Sequence, residues 1–97
     1  KAIVVVDFAG KPVEIKTIQK IATKHNLLLI QDSSHALGSS IDGKKIGSFS
    51  DMSIFSFHAI KPITTSEGGA ILTDNEEYAK GLRLFRSHGM IKKENWN

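Results

Sequence analysis

The sequence predicts an α/β fold built on a mostly parallel sheet, and three observations carry that expectation. Residues Ala2–Val6 form an unbroken apolar run rich in β-branched side chains. Residues 12–26 carry apolar side chains at helical spacing, and Leu27–Ile30 is a second aliphatic run. Strand, helix and strand in so short a length make a right-handed βαβ unit, whose two strands lie parallel.

Taken in order, Ala2–Val6 shows no polar alternation, the pattern of a strand buried on both faces. Asp7-Phe8-Ala9-Gly10 reads as a loop. Pro12 suits the first position of a helix, where its missing N–H is no loss. Val13, Ile15, Ile18, Ile21 and Ala22 then share one face, with Lys16, Lys20 and Lys24 outward, so an amphipathic helix is expected to end near Asn26. Leu27–Ile30 is the next buried strand, with Asp32-Ser33-Ser34-His35 at its carboxyl end.

Within Ser39–Ile46, Asp42-Gly43 is a two-residue hairpin signal. Met52–Phe57 and Gly69–Thr73 are two more strands. Their connection, residues 58–68, is too short for a helical crossover, which predicts antiparallel neighbours in one sheet. Asn75–His88 is a second helix, capped by Asp74 or Asn75, with Glu76 and Glu77 in its first turn and Gly89 at its end. No repeat, low-complexity tract or linker interrupts the chain.

Composition narrows the function. With 40% hydrophobic and 24% charged residues, the 97-residue chain is an ordinary globular sequence with room for a modest core. No run approaches the roughly 18 apolar residues of a membrane span, and no basic-then-apolar signal segment opens it. The absence of cysteine excludes disulfides and thiolate zinc sites, and fits a cytoplasmic location. The net charge of +3 is small and the 13 basic residues are dispersed; the densest group, Lys92-Lys93, is followed at once by Glu94. Neither a nucleic acid nor a membrane is therefore expected as partner. The four histidines (25, 35, 58, 88) fall in separate elements without His-x-x-x-His spacing, so no metal site is expected. A Gly-x-Ser-x-Gly elbow and a Gly-x-x-x-x-Gly-Lys phosphate loop are both missing.

In open α/β sheets, ligands bind beyond the carboxyl ends of parallel strands. Two polar clusters fall there: Asp32 with His35, and Ser56 with His58 and Lys61. Each residue also has a plain structural reading. Asp32 could cap a turn, His35 could be a satisfied core histidine, and Ser56, alternating with Phe55 and Phe57, could be an ordinary strand serine. A lone lysine after an apolar strand is less easily explained away. Desolvation at the edge of an apolar site makes an amine a nucleophile toward carbonyl groups.

The segment Ser56-Phe-His-Ala-Ile-Lys-Pro-Ile-Thr-Thr-Ser-Glu-Gly-Gly69 resembles the cofactor-lysine motif of the DegT/DnrJ/EryC1/StrS sugar aminotransferases, which use pyridoxal 5'-phosphate (PLP). The likeness extends to Val-Asp-Phe-Ala-Gly (6–10), Asp-Ser-Ser-His-Ala-Leu-Gly (32–38) and Leu-Phe-Arg-Ser-His-Gly-Met (84–90). It implies that Lys61 holds PLP as a Schiff base and that Asp32 keeps the pyridine nitrogen protonated. It also implies that His35 approaches the ring hydroxyl and that Ser56 binds the phosphate. Thr64 and Thr65 would fix the lysine loop, and Glu67-Gly68-Gly69 would give a tight backbone path; His58 has no role derivable beyond a structural hydrogen bond.

Within that family the similarity is greatest to members that aminate a UDP-linked 4-keto-6-deoxy-N-acetylhexosamine with glutamate as donor. The retained Lys61 argues against the related sugar 3-dehydrases, in which histidine replaces it. Two departures, Ser66 and Gln31, touch none of these roles. The resemblance implies a fold type I large domain whose sheet is mostly parallel with one antiparallel strand, and a homodimer as the complete enzyme. Opening at Lys1, lacking an upstream phosphate-binding helix start and ending at Asn95-Trp96-Asn97, residues 1–97 are expected to be the central fragment of that PLP-binding domain. From the residues alone, a non-catalytic flavodoxin-like binding module is the alternative.

Overall fold

The computed structural model describes residues 1–91; the readings placed on Lys92-Lys93-Glu94 and on Asn95-Trp96-Asn97 lie outside them. The first apolar run forms β1 (Ala2–Val6), the amphipathic stretch forms α1 (Ile15–Lys24), and the second run forms β2 (Leu28–Asp32). Two short strands, β3 (Ser40–Ile41) and β4 (Lys44–Lys45), pair antiparallel about Asp42-Gly43, both of which take positive φ. β5 (Met52–Ser56), β6 (Gly69–Leu72) and α2 (Glu76–Arg86) follow.

The main sheet runs in the order β1-β2-β5-β6. β1, β2 and β5 are parallel, and β6 pairs antiparallel with β5, as the short connection requires. Register places Val6 beside Asp32, Asp32 beside Ile54, and Ser56 beside Gly69. The carboxyl ends of the three parallel strands therefore share one edge of the sheet.

Side chains alternate between the two faces of a strand, and here the faces differ sharply. Ile3, Val5, Leu29, Gln31, Ser53 and Phe55 lie on the face covered by α1, through Ile15 and Ala22, and by Ile46 and Phe49 of the segment after the hairpin. Lys16 of α1 is hydrogen-bonded to Asp42 at the hairpin tip and, by that bond and its charge, holds the Asp42 carboxyl below its usual range. The Gln19 side chain donates to the Phe49 carbonyl.

Four expectations are corrected. β1 is buried on one face only: Val4 and Val6 are 63% and 49% exposed, because no described element covers that side. Pro12 does not open α1. The Val13 N–H is taken by the Asp7 carboxylate and the Ile15 N–H turns back to the Val13 carbonyl, so helical geometry begins only after Glu14. Ile21 is half exposed, since at about 100° per residue it lies on the flank of the line through Ile15 and Ala22. β2 also extends further than Ile30, so Asp32 is its last residue and not a residue of the following loop.

Candidate functional site

Asp32 closes β2 on the face opposite α1. Its flanking residues, Gln31 and Ser33, point to the covered side and are fully buried. The Asp32 carboxylate is half-buried, and one of its oxygens accepts the Ser34 N–H at 3.1 Å. The second oxygen has no partner among the described residues. His35, in the turn that follows, accepts the Ala9 N–H on Nδ1 at 3.4 Å and lies against the Phe8 ring, with centroids 5.8 Å apart. Its Nε2 remains available for another partner.

Ser56 ends β5 on the same face as Asp32, by the register that sets Gln31 beside Ser53. Its hydroxyl oxygen accepts the His58 N–H at 3.3 Å, which leaves the hydroxyl proton free to donate. The chain then turns through His58–Lys61, closed by the Lys61 N–H donating to the His58 carbonyl at 2.9 Å. Lys61 is half-buried and belongs to none of the ion pairs among the described residues. Ile60 and Ile63 stand on either side of it, 82% and 60% exposed, giving it an apolar rim.

The lysine loop is held at its base. Thr64 Oγ1 and the Thr65 N–H both donate to the Phe57 carbonyl, and Thr65 Oγ1 donates to the Glu67 carbonyl. A Cβ added to Gly68 would lie 2.6 Å from Thr65 Oγ1, so the backbone can pass the threonine only as glycine. His58 Nε2 sits 3.5 Å from a Glu67 carboxylate oxygen, tying the first residue of the loop to the last.

Asp32, His35, Ser56 and Lys61 thus gather at one sheet edge from two strand ends and the turns after them. No hydrogen bond or ion pair among the described residues joins Asp32 to Lys61. Asp7, given no role by its place in the sequence, is completely buried at the end of β1 and accepts three hydrogen bonds, from the Val13 N–H, Gln31 Nε2 and Ser33 Oγ. The available signal was an acid set directly after three valines, where a strand leaves the core.

The donor set suits a pyridine ring carrying a phosphate and an aldehyde. Among the described residues it offers a carboxylate oxygen, a hydroxyl proton, a histidine ring nitrogen and a primary amine that have no partner. Residues 1–97 match the DegT/DnrJ/EryC1/StrS aminotransferase family. A UDP-4-amino-4,6-dideoxy-N-acetyl-beta-L-altrosamine transaminase of Helicobacter pylori is 58% identical over 94 residues, covering 97% of this chain and 25% of that protein. A solved Helicobacter pylori aminotransferase, involved in the biosynthesis of pseudoaminic acid, superposes with a TM-score of 0.94 at 57% identity, over 100% of this chain and 26% of the other. A Streptococcus pneumoniae protein solved in a PLP form superposes with a TM-score of 0.85 at 30% identity, over 100% of this chain and 30% of the other. The chain spans about a quarter of the length of the curated relatives it matches.

Proposed function

The chain belongs to the DegT/DnrJ/EryC1/StrS aminotransferase family, and we propose that it is the cofactor-holding part of the large domain of a PLP-dependent nucleotide-sugar aminotransferase. The observation that carries this reading is the convergence of Asp32, Ser56 and Lys61 at the carboxyl edge of the parallel strands, with Lys61 free of any ionic partner among the described residues. The proposed substrates are L-glutamate as amino donor and a UDP-linked 4-keto-6-deoxy-N-acetylhexosamine as acceptor, on the strength of the 58% identity to the altrosamine transaminase. The complete protein is proposed to be a cytoplasmic homodimer.

PLP, when bound, supplies a carbonyl carbon that condenses with primary amines and a ring that accepts electrons. The chain's own groups divide the remaining work. Lys61 would provide the amine that holds the cofactor's carbonyl carbon, and its Nζ, when free, would be the base that takes up a proton from the substrate's α-carbon. Asp32 holds a proton at the ring nitrogen by pairing its carboxylate with the resulting positive charge. Ser56 donates its free hydroxyl proton to the phosphate, and His35 orients the ring through its hydroxyl.

In the full-length protein, addition of PLP is expected to give the absorbance band of a lysine-bound cofactor, and Lys61→Ala should abolish it. An identical spectrum with and without Lys61 would reject the reading, and would leave the non-catalytic binding module in its place.

A further inference from the structure

The buried carboxylate of Asp7 has no part in the scheme above, and its partners are unusual in their placement. One of its oxygens accepts from Gln31 Nε2 at 2.9 Å and from Ser33 Oγ at 2.7 Å. These two residues flank Asp32. The other oxygen accepts the Val13 N–H at 3.0 Å. All three side chains, Asp7, Gln31 and Ser33, are fully excluded from solvent. Gln31 Oε1 has no partner among the described residues, so the bond to Asp7 is the amide's anchor.

A strand end is ordinarily free to twist about its own axis once the ladder stops. Here β2 ends at Asp32, and among the described residues the backbone bonds from the Asp7 N–H to the Asp32 carbonyl and from the Ser33 N–H to the Ile54 carbonyl, each 2.9 Å, continue the lacing. Because successive side chains alternate between faces, holding Gln31 and Ser33 down on the covered face forces Asp32 up on the other. Burial makes the grip stiff: hydrogen bonds to a charged group in a water-excluded site are among the stronger ones and are costly to leave unmade.

We infer that Asp7 is a positioning residue for Asp32, its buried carboxylate gripping Gln31 and Ser33 so that the Asp32 carboxylate is aimed at the cofactor ring. The inference rests on the PLP reading given above, and it makes Asp7 act only through Asp32. That dependence is testable as non-additivity in a double-mutant cycle.

The experiment uses the full-length enzyme loaded with PLP. Asp7→Ala should lower kcat by about tenfold to a hundredfold, the range typical of residues that orient a functional group. It should leave KM for glutamate within about threefold. The cofactor band of Asp7→Ala should move in the same direction as that of Asp32→Asn, because both leave the ring nitrogen poorly paired. Introduced into Asp32→Asn, the Asp7→Ala change should cost little further kcat. If Asp7→Ala does not fold, Ser33→Ala removes half of the grip and enters the same cycle, with a smaller loss expected. A full additional loss of kcat in the Asp32→Asn background, or a wild-type spectrum in the single variant, overturns the positioning role while the PLP reading stands. A wild-type protein whose spectrum with PLP does not depend on Lys61 overturns both.

Discussion

Gln31 and Asp32 are adjacent in sequence and lie on opposite faces of the sheet. Gln31 is wholly buried against Asp7, and one Asp32 carboxylate oxygen has no partner among the described residues. In the sequence Gln31 stood out only as a departure from a family pattern, with no role attached; its contact with Asp7 spans 24 positions and is invisible to any local pattern. Asp32 and Lys61 were singled out because they follow apolar strands and stand in segments that resemble the family's motifs. At this scale the proposed chemistry predicts that Asp32→Asn in the full-length enzyme retains bound cofactor but loses about a hundredfold or more in kcat. The neutral amide cannot stabilise a positive charge on the ring nitrogen. Steady-state kinetics beside the cofactor spectrum checks this, and near-normal kcat would remove Asp32 from the site.

The elements follow local rules where those rules are strong. Asp42-Gly43 forms the hairpin turn with φ of 49° and 77° at its two central residues, the positive values that a two-residue turn of this kind demands. α2 begins after Asn75, whose side chain accepts the Glu77 and Tyr78 N–H groups at 2.9 and 3.1 Å; of the two candidates for the cap, Asn75 makes the bonds. Asn75→Ala should therefore cost about 1 kcal/mol, read as a lower urea midpoint of the full-length protein with an unchanged slope. The start of α1 was less legible. Proline at position 12 is compatible with a helix, but the Ile15 N–H turns back to the Val13 carbonyl and helical geometry starts only after Glu14.

Across the whole molecule, one face of the sheet is packed and the other is largely open among the described residues. Val4, Val6 and Ile71 are 63%, 49% and 44% exposed on that open face, and no residue of α2 is buried. Exposed apolar surface of this extent favours association, and the β1 edge offers unpaired backbone groups as well. The 97-residue chain produced alone is expected to self-associate, to bind a hydrophobic dye, and to transfer no amine from glutamate to a ketosugar. Sedimentation, dye fluorescence and a coupled assay measure these. A monomeric, active chain would contradict its proposed place as one part of a larger domain.

The order of strands and helices, the parallel pairing of β1 with β2 and the antiparallel return of β6 were determined by the sequence itself, because apolar period, chain length and turn chemistry are local quantities. Lys61, Asp32 and Ser56 were singled out as polar groups at the ends of apolar runs, and their roles came from the family resemblance of the segments that carry them. Tertiary structure alone decided which face of β1 is covered, since an uninterrupted valine run carries no alternation to say so. It also decided that Asp7, Gln31 and Ser33 meet beneath Asp32. Those hydrogen bonds join residues more than twenty positions apart, which meet here because parallel strands bring their ends to the same edge.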